Sequence, residues 1–284
     1  MSFVKATRGK CKMKLSIQGP SGSGKTFSAL RLAKGLVGDL SKVAVIDTEC
    51  GSSHLYAHLG DYSVLTIEAP YSPEKYIHAI HEAVKEGFEC IVIDSLSHEW
   101  QGSGGILDIH GQMEGNSFTN WSKVTPRHNA LIQTIVNANV HVLATLRSKT
   151  EYVIQNRNGK SVPEKVGMKA VQREDAEYEF TIAFELNKQH GATISKDRTG
   201  LFAQEPEILV TEEVGSRIST WCDADSSPAI EVPQENEIIT PVIEATRSIY
   251  NQPPPINLLN TDISQCSSTN VLLNQLNQRQ HGNF

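Results

Sequence analysis

The chain has 284 residues, 39% of them hydrophobic and 20% charged, enough to bury a sheet beneath covering helices. No run of about 18 apolar residues occurs, and the basic start MSFVKATRGKCKMK lacks the apolar stretch and small-residue cleavage site of a secretory signal, so neither a membrane span nor secretion is expected. The formal net charge is −6, of which −5 falls on residues 223–284 (seven acidic, two basic), leaving a near-neutral body whose overall charge gives no argument for nucleic acid.

KLSIQG (Lys14–Gly19) reads as a buried strand. Lys25–Val37 follows as a helix, with Leu30, Ala33 and Leu36 apolar beside Arg31 and Lys34. KVAVID (Lys42–Asp47) and SVLTIE (Ser63–Glu68) are the second and third strands. Ser72–Glu86 opens Ser-Pro-Glu, an N-cap with proline at the first helical position, and carries Ile77, Ile80 and Val84 at helical spacing. CIVID (Cys90–Asp94) is a fourth strand, Trp121–Asn139 a helix and HVLATL (His141–Leu146) a fifth strand. Near-continuous Val and Ile runs separated by helices predict an α/β fold, a mainly parallel sheet covered on both faces.

After Arg147 the pattern changes. TEYVIQNRNGKSVPEKV predicts two strands around an Asn158–Gly159 turn, and Glu177–Leu186 with Gly191–Asp197 a further pair, all as antiparallel edge strands. From Asp223 the chain is rich in Pro, Asn, Gln and Ser, with three prolines at Pro253–Pro255. The expected organisation is an α/β domain over 1–222 and a disordered tail over 223–284, with a short helix at Leu272–Leu276. Cys11, Cys50, Cys90, Cys222 and Cys266 form no CxxC pair and no zinc spacing, which suits reduced thiols in a cytoplasm. His54 and His58, or His78 and His81, have spacings that permit metal ligation but no acidic or cysteine partner set; they read as surface or packing residues.

Gly19-Pro20-Ser21-Gly22-Ser23-Gly24-Lys25-Thr26 is a full GxxxxGK[ST] match, placed after an apolar strand and opening a helix. Glycines let successive backbone N–H groups turn inward around a phosphate, and the helix N-terminus adds its positive dipole end. Lys25 is expected to reach the β- and γ-phosphates of ATP, and the Thr26 hydroxyl to ligate Mg²⁺. A second Mg²⁺ element is Asp94, at the tip of its strand; Asp47, also at a strand end, is the rival, with a structural role as its alternative.

VIDTECGSSHLYA (Val45–Ala57) resembles the recombinase family typified by bacterial RecA, in which a strand ends in Ile-Asp-x-Glu and the Glu polarises the attacking water. The resemblance gives that role to Glu49. CIVIDSL (Cys90–Leu96) is similar to the family's metal-binding strand. HVLATLR (His141–Arg147) resembles the strand whose polar end senses the γ-phosphate, with Thr145 and Arg147 as candidates. Ser195–Gly200 (SKDRTG) resembles the basic fingers of RecA-like hexameric helicases, which implies that Lys196 and Arg198 reach into a neighbour's ATP site. Residues 10–215 as a whole resemble single-domain RecA-like, AAA-type ATPases of bacteriophages, including the Sak4-type recombination ATPases. What the resemblance implies is an ATP-hydrolysing homo-oligomer acting on single-stranded DNA.

By the same resemblance, DNA-binding loops would lie at Ser97–Asn120, which is glycine-rich, and at Ser148–Ala176, which carries Lys149, Arg157, Lys160, Lys165, Lys169 and Arg173. Tyr152 and Trp121 are candidates for base stacking. An ordinary charged hairpin is the competing reading of the second stretch. Two other functions stay open: a small-molecule kinase, with Arg147 and Arg173 as lid residues, and a nucleotide-dependent loader or packaging accessory with little turnover.

Overall fold

The computed structural model describes residues 11–157 and 160–224. The expected turn at Asn158–Gly159, the helix at Leu272–Leu276 and the tail lie outside the described residues. The central strands are β1 (Lys14–Gly19), β2 (Val43–Asp47), β3 (Ser63–Thr66), β4 (Cys90–Asp94) and β5 (His141–Arg157). Helices α1 (Lys25–Val37), α2 (Pro73–Lys85), α3 (Ser97–Gln101), α4 (Ile106–Gly111) and α5 (Ser117–Asn137) fall between them. β6 (Lys160–Ala170), β7 (Ile182–Leu186), β8 (Gly191–Asp197), β9 (Ile208–Leu209) and α6 (Glu212–Asp223) complete the described chain.

The strands run in the order β3-β2-β4-β5-β1-β7-β8-β9, with β6 paired to β5. From β3 through β7 every neighbouring pair is parallel, and β8 and β9 add antiparallel at the edge. β1, β2 and β4 are buried at every position, which is why they read as unbroken apolar runs rather than alternating ones. Alternation survives in where the side chains go. Val43 and Val45 join the core beneath α1 and α6, while Ala44 and Ile46 join the core beneath α2 and α5. The mainly parallel sheet flanked by helices is thus the α/β architecture expected, with antiparallel strands at its margin.

Several boundaries differ from expectation. β3 stops at Thr66 rather than Glu68, and α2 covers Pro73–Lys85, with Ser72 as its N-cap. α5 begins four residues before Trp121 and runs through Pro126; the Asn116 side chain caps it, accepting from the Phe118 N–H at 2.9 Å. β5 does not end at Leu146. It leaves the parallel sheet after Arg147, which pairs with Gly19, and continues into the antiparallel ladder with β6 that starts at Ser148–Ala170. Glu177 does not start a strand: Glu174–Glu179 is a 3₁₀ turn, and the strand is only Ile182–Leu186. That strand joins β1 in parallel, so the edge reverses direction only at β8. The glycine-rich stretch after β4 carries α3 and α4, each a turn or two long and bounded by Gly102, Gly105 and Gly111. α6 escaped the pattern reading; it packs so closely on α1 that an alanine Cβ at Gly215 would stand 2.3 Å from the Leu32 carbonyl oxygen.

Candidate active site

The carboxyl ends of β1 and β4, the end of the parallel half of β5 at Thr145–Arg147 and the turn after β2 converge on the loop Gly19–Thr26. Gly22 and Gly24 sit at φ +78° and +84°, the left-handed region that glycine enters without penalty. Glycines at such φ let successive loop amides turn to one side, as an anion-binding loop requires. Gly19 has no room for a side chain: a Cβ there would meet Ser23 Oγ at 2.5 Å and the Leu186 carbonyl oxygen at 2.9 Å. Ser23 is fully buried, and its Oγ has no hydrogen-bond partner among the described residues. Lys25 Nζ folds back to donate to the Pro20 carbonyl at 3.0 Å. Burial lowers the Lys25 pKa; the carboxylates of Asp94 and Glu49 oppose that shift and Arg147 adds to it.

Asp94, at the end of β4, is buried beside the loop, 2% exposed. Thr26 Oγ1 donates to its Oδ2 at 2.6 Å, and Thr145 Oγ1 to its Oδ1 at 2.5 Å. Burial raises the Asp94 pKa against the pull of these two hydroxyls, and the nearby Glu49 and Asp47 raise it further. A buried carboxylate surrounded by other carboxylates has the most to gain from a cation, and the hydroxyl–carboxylate pair offers the hard oxygen donors that Mg²⁺ prefers. The residues present therefore fit that ion.

Asp47 is fully buried but differently engaged. Its Oδ1 accepts from the N–H groups of Glu49 (2.7 Å) and Gly51 (3.3 Å), and its Oδ2 from Ser53 N–H (2.9 Å) and Ser53 Oγ (2.5 Å). Both oxygens are spent on folding the segment that leads into the 3₁₀ helix Ser52–Leu59, much as a helix cap would be. This favours Asp94 over Asp47 as the carboxylate facing the loop.

Glu49 is brought to the same place, where Arg147 grips it. Arg147 Nε donates to Glu49 Oε1 at 2.8 Å, Arg147 Nη2 pairs with Oε2, and Ser95 Oγ donates to Oε1 at 3.1 Å. Burial pushes the Glu49 pKa up, but the Arg147 bond and charge, His98 and Ser95 together outweigh it, and the net shift is down. Arg147 also anchors its surroundings: its N–H donates to Ser97 Oγ at 2.9 Å, and its carbonyl accepts from Val171 N–H at 2.7 Å. His98 joins the site through Thr48, with Nδ1 2.8 Å from Thr48 Oγ1, and stacks on Tyr71 at 4.8 Å between ring centroids. Behind it, the fully buried Glu99 meets His128 Nδ1 at 3.0 Å and Gln172 Nε2 at 3.3 Å.

Lys196 and Arg198 stand apart. β8 runs antiparallel to β7, so Lys196 pairs with Ala183, well below the strand ends that hold the loop. Lys196 Nζ donates to the carbonyls of Glu177 (2.9 Å) and Tyr178 (2.6 Å), and Arg198 Nη2 to that of Tyr178 (2.8 Å). Within one chain they do not belong to the phosphate site. Trp121 stacks on His110 at 4.2 Å, so its ring is already partnered. The side chains of Tyr152, Arg157, Lys160 and Lys165 lie outside the described residues. Among the described residues no group of His, Cys, Asp and Glu suits a separate metal ion, and no helix is long and apolar enough to cross a membrane.

Strand, loop and helix, with a strand-tip aspartate facing the loop threonine, define a P-loop nucleotide site. A family model described as an AAA domain matches residues 11–199, about two thirds of the sequence. The chain belongs to the AAA domain family. It is thereby an AAA-type, nucleotide-binding P-loop ATPase, and the matched span runs from just before β1 to just past β8, taking in the loop, Glu49, Asp94, Arg147, Lys196 and Arg198. No curated protein matches the chain.

Sequence reasoning missed Ser95 and His190. Ser95 follows Asp94 and its hydroxyl reaches Glu49, which the Asp-Ser pairing hints at. His190 touches the phosphate loop from 167 residues away, and no local pattern announces that contact.

Proposed function

We propose that the protein hydrolyses ATP with Mg²⁺ and uses the cycle on single-stranded DNA as a homo-oligomer. The observation that carries the hydrolytic part is the convergence of Lys25, Thr26, Asp94 and Glu49 around one loop. Loop amides and Lys25 bind the β- and γ-phosphates; Thr26 and Asp94 hold the metal, which when bound withdraws charge from the phosphoryl oxygens. Glu49 then orients the attacking water and accepts its hydrogen bond. In the geometry described, Arg147 takes one acceptor position on each Glu49 oxygen and Ser95 a second on Oε1, which leaves Oε2 a lone pair for the water while Arg147 stays in place. Thr145 stays on Asp94 and keeps the carboxylate aimed at Thr26. Lys196 and Arg198 act on a neighbouring copy's nucleotide, where a cation steadies the charge that develops on the γ-phosphoryl. Their distance from their own loop agrees with that use.

The DNA assignment draws on the resemblance and on the place of Arg147. This residue is the joint between the sheet and the β5–β6 hairpin, so a strand bound on the hairpin would act directly on the Glu49 partner. Beside the loop lies a cleft of about 630 Å³ whose lining includes Lys149 and Lys188 with Glu185, so two cations outnumber one carboxylate where a phosphodiester backbone would pass. ATP hydrolysis measured with and without single-stranded DNA, together with the mass of the assembly with ATP bound, tests the reading. It fails if DNA leaves the rate unchanged and the protein stays monomeric.

The Glu49–Arg147 ion pair gives a second reading a specific footing: a nucleotide-dependent binding module with little turnover, in which Arg147 keeps Glu49 idle. Glu49→Gln separates the two. A hydrolysing enzyme loses turnover and retains bound ATP, whereas a binding module is indifferent.

A further inference from the structure

β7 ends at Leu186 against Gly19, and the turn that follows, 187–190, reaches the phosphate loop from outside. Asn187 builds this turn: its Oδ1 accepts from the N–H groups of Gln189 (2.8 Å) and Gly191 (3.0 Å), and its carbonyl from His190 N–H (3.2 Å). At the last position the chain adopts φ +69°, a left-handed conformation usually given to glycine or asparagine. The turn itself has no need of an imidazole there.

The imidazole has a partner in the loop. His190 Nδ1 lies 3.0 Å from the Ser23 carbonyl oxygen. A carbonyl oxygen only accepts, so Nδ1 carries the proton in this contact. The peptide joining Ser23 to Gly24 is planar and trans, which puts its C=O and its N–H on opposite sides. Drawing the Ser23 carbonyl toward His190 therefore turns the Gly24 N–H away from the turn. A side chain at Gly24 would crowd this arrangement, since a Cβ would come to 3.1 Å from His190 Nδ1. The glycine is thus explained twice, by its φ and by the ring beside it.

We propose that His190 is a positioning residue for nucleotide binding, holding the Ser23–Gly24 peptide so that the Gly24 N–H faces the phosphates. The inference rests on the reading of the loop as an ATP site and goes beyond it by assigning part of the loop's shape to the β7–β8 turn. Two substitutions isolate the donor from the backbone. His190→Asn keeps a side-chain N–H and tolerates left-handed φ; His190→Gly keeps the backbone and removes the donor.

Mg–ATP and ADP affinities and melting temperatures are measured for the full-length chain, with Lys25→Ala as the reference for a ruined loop. His190→Gly is expected to bind both nucleotides roughly threefold to tenfold more weakly, the range of one net hydrogen bond. Its melting temperature should equal or exceed that of the unsubstituted protein, because glycine relieves the left-handed residue. His190→Asn should restore affinity to within about twofold. The proposal is overturned if His190→Gly binds as well as the unsubstituted protein, if His190→Asn is as weak as His190→Gly, or if affinity and melting temperature fall together. Should the unsubstituted protein bind no nucleotide, the ATP-site reading itself is wrong. Binding that Lys25→Ala abolishes and His190→Gly leaves intact would overturn only the role of His190.

Discussion

Replacing Gly35 by alanine tests how the helix that carries Lys25 and Thr26 is seated. An alanine Cβ at this position would lie 1.9 Å from the carbonyl oxygen of Glu212 and 2.9 Å from the Cα of Gly215, both on the backbone of α6. No side chain can swing aside, so α1 and α6 must separate by on the order of 1 Å to restore ordinary contact distances. Two energies oppose each other. Alanine in place of glycine inside a helix gains about 1 kcal/mol. Overpacking costs about 1–3 kcal/mol, and the separation also thins the contacts of Leu32, Leu36, Val214 and Ile218, all buried along this face. With so deep an overlap the steric term sits at or above its upper end, leaving a net loss of about 2 kcal/mol. For a body of this size that is a fall in melting temperature of about 4–8 °C. Gly111→Ala is the control: it closes α4, its φ is not positive, and nothing among the described residues stands within 4 Å of the new Cβ, so it should be neutral or slightly stabilising. Gly215→Ala meets the same wall from the other side, and the double substitution should cost less than the sum, because one separation relieves both overlaps. Thermal melts and denaturant titrations read all four variants beside the unsubstituted protein. If Gly35→Ala melts no lower than the unsubstituted chain, the packing argument is wrong.

Asp94→Asn should weaken Mg–ATP binding by tenfold or more, since it removes the charge facing Thr26 (on the order of 1.5–3 kcal/mol for a charged hydrogen-bond partner). Asp47→Asn should act on stability, by about 1–3 kcal/mol, because its oxygens hold amides and a hydroxyl rather than the loop; equal effects on binding would remove the distinction drawn between them. Arg147→Ala takes away the strongest of the influences that lower the Glu49 pKa and leaves burial, which raises it, opposed only by His98 and Ser95. On the proposed mechanism Glu49 must be ionised to hold water, so the acid limb of the hydrolysis profile should move to higher pH in this variant; an unmoved limb means that Glu49 is not the titrating group. His141 accepts the Met13 N–H through Nδ1 at 3.2 Å, and burial, with Lys12 and Lys14 nearby, lowers its pKa from 6.5 to about 4. Between those values the unfolded chain binds the extra proton and the folded one does not. Stability is therefore full above about 6.5 and falls as the pH drops toward 4, by roughly 3 kcal/mol from this residue, and His141→Gln should flatten that decline.

Most of the sheet was legible because β1, β2 and β4 are buried on both faces, and a strand so placed leaves an unbroken apolar run. The phosphate loop was legible because its chemistry constrains consecutive residues. What escaped depends on contacts distant in sequence. α6 is short, and half of its reason to exist is the groove left by Gly35. β5 shows its parallel half as HVLATL, whereas its hairpin half is polar and reads as something separate. Glu177–Phe180 carries Tyr and Phe suited to a strand, yet Lys196 and Arg198 cap the carbonyls of a 3₁₀ turn there. Asp47 and Asp94 end their strands in the same way, and only hydrogen bonds to Ser53 and Thr26 tell them apart. The Arg147–Glu49 pair bridges 98 residues, so residue types could name both groups without revealing that they hold each other.

The most direct test is equilibrium binding of ATP to the purified chain with and without Mg²⁺, for the unsubstituted protein and Lys25→Ala. Binding that strengthens with the metal and is lost with the lysine is the predicted result. Affinity indifferent to both would contradict the assignment of Gly19–Thr26 as the phosphate site.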